Sequence, residues 1–315
     1  MITNGFTYFA VLAFLAAVLV GAEKLTKWKF FKFIPPVVLL YLLTMLLCTA
    51  GAWDMEATSA AYGALKNNIL YAMLVLMLLR CDIRKILKLG PRMLGGFFAA
   101  SISISIGFIL TYAIMHGQLG SEAWKPLGAL CGSWMGGSGN LVAVSEALHI
   151  GEADLAYALV IDSIDYSIWV MFLLWAISFA PRFNKWTKAS TATLDEVCAR
   201  LEAEEKEADK HITFAGLLFL IGGALLVSAI GQNIGAAING VAPWLDKATW
   251  TVLVVTVVAL VAAVTPIGKI AGAAELSNVL LYMVIALLAS RASLLELTEA
   301  PVWIISGFMI LGIHG

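Results

Sequence analysis

Charge is scarce in this chain. Of its 315 residues only 13% are charged and 61% are hydrophobic, whereas soluble domains carry roughly one quarter charged residues. With a mean hydropathy of +0.91, this composition excludes an ordinary soluble domain and fits a polytopic membrane protein. The formal net charge is −1 and no basic tail or run is present, which leaves nothing to attract nucleic acid. Cysteine is scarce too. Cys48, Cys81, Cys131 and Cys198 stand at no paired spacing, so neither a disulfide framework nor a zinc site is expected, and they read as packing residues. No positive stretch precedes the first apolar run, and the lysines come after it. The N-terminal segment therefore reads as a first spanning helix with its N-terminus outside, not as a cleaved signal.

What the chain has in abundance is apolar runs approaching the roughly 20 residues of a membrane span. They fall near 5–22, 34–52, 67–80, 93–115, 127–148, 155–180, 212–232, 248–266, 276–290 and 301–315. The run 67–80 is short and must tilt or borrow from its flanks. One hydrophilic interval, 181–211, divides the chain into a first membrane repeat (1–180), a cytoplasmic amphipathic linker and a second membrane repeat (212–315). The halves resemble each other. Setting NNILYAMLVLMLLR (67–80) over NVLLYMVIALLASR (278–291) matches Asn67 with Asn278, Tyr71 with Tyr282 and Arg80 with Arg291, and the same register brings Gly96-Phe97 over Gly307-Phe308. An internal repeat is expected.

Lys and Arg mark the cytoplasmic side. Lys24, Lys27, Lys29 and Lys32 form one cluster, Arg80, Arg84, Lys85, Lys88 and Arg92 a second, and Arg182, Lys185 and Lys188 a third. Between the second and third clusters the chain must cross an even number of times, yet it holds three apolar runs. One of them must turn back, and the run containing GSWMGGSGN (132–140) is the obvious one, because non-helical backbone at depth is tolerated where protein or water covers it. A fully crossing, interrupted helix is the alternative, and it conflicts with the charge rule. Turning back gives the first half an odd number of crossings, so the second copy enters upside down. Glu296 and Glu299, where the first copy has Arg84, Lys85 and Lys88, agree with that inversion.

A break in a helix inside lipid exposes backbone groups that cost several kcal/mol each if unpaired. Gly136, Gly137 and Gly139 allow close approach and positive φ. Ser133, Ser138 and Asn140 add donors and acceptors, and half-helix N-termini add partial positive charge, so an anionic group or a dehydrated cation fits there. Packing is the competing explanation for Gly128, Gly132 and Gly136, which repeat at every fourth position. In LVIDSIDYSIW, Asp162 and Asp165 lie three apart on one helix face, roughly 13 and 18 Å deep counted from Ala153. Intramembrane acids of this kind mark ion or proton pathways. Glu146 is read as a substrate or gate contact, or as a plain interfacial carboxylate. Its Glu-x-x-His spacing with His149 lacks the second copy that a di-iron site needs, and Ser138 lacks the flanking glycine of a nucleophile elbow, since Asn140 stands there. No enzyme is expected. Trp28, Trp53, Trp124 and Trp244 read as interface anchors.

In GSWMGGSGNLVAVSEAL (132–148) followed by ALVIDSIDY (158–166), the sequence resembles the YjcL-like membrane proteins, domain-of-unknown-function family 819, over essentially its whole length. That family is similar to the cation/proton antiporter and anion transporter group, whose inverted repeats each carry a broken helix or hairpin at the midplane. The resemblance implies that Gly136, Gly137, Ser138, Gly139 and Asn140 form the first-repeat solute or ion site, and that Asp162 and Asp165 stand where sodium or protons bind. It also implies a second glycine-rich hairpin beyond FMILGIHG, so the second repeat is expected to be truncated here.

The combined expectation is an all-α polytopic protein of the bacterial inner membrane with two inverted repeats and a glycine-rich re-entrant hairpin or broken helix. It would be a secondary transporter moving a small anionic or zwitterionic solute with Na+ or H+ as coupling ion and no other cofactor. Its partners would be the bilayer and the solute, and a homodimer stays open because related folds are often dimers. A Na+/H+ antiporter without organic substrate, and a scaffold or sensor acting through 181–211, are the alternatives.

Overall fold

In the computed structural model, residues 1–315 are described except Lys29, Lys88, Leu89, Ser178, 188–211, Leu294, 296–299 and Gly315. Most of the expected linker 181–211, together with Cys198, Glu296 and Glu299, thus lies outside the described residues. Helices α1 (Gly5–Thr26), α2 (Phe30–Phe33), α3 (Pro36–Thr49), α4 (Ser59–Leu78), α5 (Ile83–Leu87), α6 (Gly90–Leu119), α7 (Trp124–Gly136), α8 (Ser138–Ala147), α9 (Glu152–Ile177) and α10 (Ala180–Thr187) make up the first part. Helices α11 (Phe214–Val241), α12 (Lys247–Ala263), α13 (Ala273–Ala289) and α14 (Ala300–His314) make up the second. The described residues hold no strand, only an isolated bridge between Ile2 and Trp53. Among the described residues, four helices are long and apolar enough to cross a membrane: α1, α4, α11 and the Met93–Leu119 stretch of α6. Their starts are set by local chemistry: the Asn4, Thr213 and Asp246 side chains accept the amides of Thr7, Gly216 and Thr249 and so cap α1, α11 and α12.

Packing sorts the helices into two bundles. One contains α1, α3, α4, α11, α12 and α13; the other contains α6, α7, α8, α9 and α14. Their shared boundary runs where α8 meets α4 and α12, and where α9 meets α3 and α13. The hub is formed by α4 and α13. Every residue from Leu70 to Leu76 is buried, as is every residue from Val284 to Ala289. Buried all round over these stretches, the two helices supply the interior there. By contrast Phe6 and Phe14 on α1, Phe97, Phe98 and Ile102 on α6, and Phe214 and Leu226 on α11 are exposed, an outward apolar face suited to lipid. Among the described residues, Cys48, Cys81 and Cys131 are half-buried and none is in a disulfide.

The short run at 67–80 gains its length at the N-terminal side, where α4 begins at Ser59. Trp53 is a correction: it is 2% exposed, packs edge-on against Tyr8 and donates its indole N–H to the Ser290 carbonyl at 2.9 Å. It is a core residue tying the two halves together, whereas Trp28, Trp124 and Trp244 are exposed.

The register that sets Asn67 over Asn278 is a shift of 211 positions (278 minus 67). It carries the starts of α1, α3, α4 and α6 to Gly216, Lys247, Ile270 and Pro301, within three residues of the observed starts of α11, α12, α13 and α14. Packing follows the same exchange: α4 meets α11 and α12, while α13 meets α1 and α3. Matched helices run antiparallel. Arg291, just past α13, donates to the Met55 carbonyl at 2.5 Å and to the Thr58 hydroxyl at 3.1 Å, just ahead of α4. In the other bundle Ser103 of α6 donates to the carbonyl of His314 of α14 at 3.3 Å, and these two positions are themselves 211 apart.

Helices α11 and α12 close on a small-residue stripe. A Cβ added at Gly235 would lie 2.8 Å from the backbone nitrogen of Thr251, and one at Gly231 would meet Val255. Gly235→Ala must push the two helices apart and is expected to cost about 1–3 kcal/mol. A melting temperature unchanged from wild type in detergent would contradict this packing.

Candidate functional site: a glycine-turned hairpin beside two acids

The residues Gly136 to Asn140 form the tip of a helical hairpin. Gly137 separates α7 from α8 with φ 93 and ψ 178, a region essentially reserved for glycine, and the chain then reverses. Gly128 faces Leu148, a Cβ added at Gly132 would sit 3.2 Å from Val144 Cγ2, and Gly136 lies under the Asn140 amide. The stripe Gly128, Gly132, Gly136 is thus the packing face of the hairpin, which accounts for these three without a ligand. Gly137 is held by its amide donating to the Ser133 carbonyl at 2.5 Å, and its carbonyl accepts from the Asn140 amide at 2.9 Å. Gly139 is buried against Met77 of α4, Ser138 is half-buried, and Asn140 is exposed.

The two acids stand behind one arm of the hairpin, on α9. Ser133 of α7 donates its hydroxyl to Asp162 Oδ2 at 3.2 Å. Asp165 is 1% exposed, and its Oδ2 is buried with no hydrogen-bond partner among the described residues. What lies against it is Gly307 of α14, where an added Cβ would sit 2.5 Å from Asp165 Oδ2 and 2.8 Å from Ile161 Cγ2. The close approach of α14 to α9 is reinforced by Tyr157 stacked on Trp303, with ring centroids 5.2 Å apart. The structure therefore brings Ser133, Asp162 and Asp165 together beside the hairpin. No group of three or more His, Cys, Asp or Glu suited to a metal ion occurs among the described residues.

Glu146 is placed elsewhere, at the far end of α8, and pairs with a residue the sequence reading passed over. Lys66 Nζ of α4 lies 2.8 Å from Glu146 Oε2, with the side chains 18% and 14% exposed. Lys66 stands in GALKNNILYAM, one position before the apolar run, so it reads from sequence as a flank; it became internal when α4 grew backward to Ser59. Nearby, Tyr62 donates its hydroxyl to Glu152 Oε1 at 3.0 Å, and the Arg291 guanidinium covers the Tyr62 ring at 4.6 Å. His149, held at φ 50, pairs with Asp246 at the start of α12. Thr249 donates to the Ala147 carbonyl at 3.2 Å. Apart from the Arg291–Tyr62 contact, which stays within one bundle, these contacts cross the bundle boundary at the end where α4, α9 and α12 begin.

Partial burial pulls the Asp246 carboxyl upward, but the Thr249 hydroxyl and amide and the His149 imidazole outweigh it and hold the group below the ordinary carboxylate value. A depressed folded value means the stabilisation is present above the unfolded value near 3.9 and is lost as pH falls through the folded one. Asp246→Ala is expected to remove about 1 kcal/mol, the usual worth of a helix cap, and Asp246→Asn less, because asparagine also caps. Equal melting temperatures for the two variants at pH 7 would refute the capping account.

No curated protein and no solved structure matches the chain. The family model described as "Protein of unknown function (DUF819)" matches residues 10–315, a span that includes the hairpin, the two acids and both bundles. On that match, the chain belongs to the DUF819 family.

Proposed function

We propose that this membrane protein is a secondary transporter that moves a small anionic or zwitterionic solute coupled to Na+ or H+. The observation that carries the reading is the hairpin beside the acids. Its arms, 13 and 10 residues, reach about 20 and 15 Å, short of a hydrocarbon core of about 30 Å. Such a hairpin enters and returns from one side, and its tip puts a helix N-terminus and Asn140 at depth, one turn beyond the Ser133 that bonds Asp162. An unpartnered carboxylate away from water calls for a proton or a hard cation as its companion.

The matched, antiparallel helices support two inverted repeats related by an axis in the membrane plane, the architecture in which one bundle moves against another around a midplane site. The basic clusters support a cytoplasmic placement of the α4–α6 and α9–α10 connections and an external N-terminus in an inner membrane. The cation or proton is proposed to bind at Asp165 and Asp162, and the solute to be met by the hairpin and the boundary beside it. A Na+/H+ antiporter would use the same acids, and the unpartnered Asp165 Oδ2 fits it equally. The two readings separate in proteoliposomes carrying an inward sodium or proton gradient. Gradient-driven accumulation of a labelled solute supports the transporter. Sodium-driven proton efflux that no solute alters moves the assignment to the antiporter.

A further inference from the structure

The bundle boundary at the outer end of α8 holds two adjoining cavities that the hairpin tip does not reach. One, of about 290 Å³, is lined among others by Tyr62, Lys66, Ser145 and Glu152. The other, of about 370 Å³, is lined among others by Asn67, Tyr71, Gln232 and Asp246. Glu146 and His149 border both, so the Lys66–Glu146 pair stands where the two meet. The walls belong to different bodies: α4, α11, α12 and α13 on one side, α8 and α9 on the other.

A largely desolvated ion pair adds little net stability, yet removing one partner leaves the other charge uncompensated. A solute that opens this pair must therefore satisfy both ends at once. A monoanion could take Lys66 but would strand Glu146, and a monocation would do the reverse; each leaves a half-buried charge alone. A zwitterion replaces one neutral pair by two and leaves the net charge of the cavity unchanged. Asn67, Gln232 and Tyr71 add uncharged donors and acceptors around it, and the volumes match the small end of ligand sites.

We infer that this boundary cavity is a binding site for a zwitterionic solute of the α-amino acid or short-peptide class, with the solute carboxylate on Lys66 and its ammonium on Glu146. The inference rests on the transport reading above and names its substrate class and entry site. Binding at the junction would break a contact that joins the two bundles, and so loosen the boundary across which they move.

The test is binding to the purified protein in lipid nanodiscs, by calorimetry and thermal shift. The probes are the common amino acids, dialanine and trialanine, with propionate and ethylamine as singly charged analogues of alanine. At least one zwitterion should bind while propionate and ethylamine do not, and Lys66→Gln and Glu146→Gln should each weaken that binding by about 10- to 100-fold, the factor a lost charge-assisted hydrogen bond carries. The double variant, which strands no charge and so keeps the fold, should bind no zwitterion either. Propionate or ethylamine binding as well as the zwitterion, no zwitterion in the panel binding, or wild-type affinity in the variants would overturn the site. The two readings fail separately: binding without gradient-driven accumulation removes the transporter and keeps the site, whereas accumulation that survives both substitutions removes the site and keeps the transporter.

Discussion

Asp165→Asn is expected to reduce ion-driven uptake in proteoliposomes to the level of protein-free vesicles while leaving expression and membrane insertion intact and the melting temperature at or above that of wild type. The reasoning begins with burial. Asp165 is 1% exposed and its Oδ2 has no hydrogen-bond partner among the described residues, so the fold gains no hydrogen bond from that oxygen. A charged side chain inside the bilayer costs roughly 2.5–3.5 kcal/mol on insertion scales, and asparagine removes that cost at nearly the same volume. The substitution therefore relieves the fold and deprives the coupling ion of its ligand. Asp162→Asn should act in the same direction but less completely, because Asp162 already has Ser133 at 3.2 Å. Undiminished uptake in Asp165→Asn would remove the acid from the coupling role.

Gly137→Ala is expected to abolish uptake by a different route. The residue sits at φ 93 and ψ 178, and a Cβ there would meet nothing within 4 Å. Space is available, so the penalty is one of backbone conformation, about 1–3 kcal/mol. The hairpin relieves it by unwinding the tip, which dissolves the Ser133–Gly137–Asn140 turn that places Ser133 on Asp162. The contrasting control is Gly136→Ala, which would touch only the far end of the Asn140 amide. That side chain is exposed and can swing away without strain in the turn, so this variant should lose less uptake than Gly137→Ala. Initial rates and melting curves of the two variants measure the difference. Equal activity would mean that the turn at Gly137 is not under conformational constraint.

These residues also show what the sequence made legible. The tip at 136–140 was visible because glycine, serine and asparagine interrupt an apolar run where the charge pattern already required a return. The expected repeat rests on Asn, Tyr, Arg and Gly-Phe matches in one register, and that register falls within three residues of four helix starts. Asp162 and Asp165 announced themselves as acids in a spanning segment. What stayed hidden depends on contacts between distant segments. Gly307 gave only a repeat match, and its place against Asp165 follows from the packing of α14 on α9. Lys66 looked like a flank until α4 extended past it. Trp53 resembled an interface anchor because burial against Ser290, 237 positions on, leaves no local trace.

The most direct test of the transport account is charge movement on a solid-supported membrane carrying the reconstituted protein. Rapid addition of amino acids and short peptides, one at a time, is compared with and without sodium and at two pH values. The account predicts a transient current for at least one zwitterion that requires sodium or a proton gradient and disappears in Asp165→Asn. No current above that of protein-free membranes for any solute, under either ion, would contradict it.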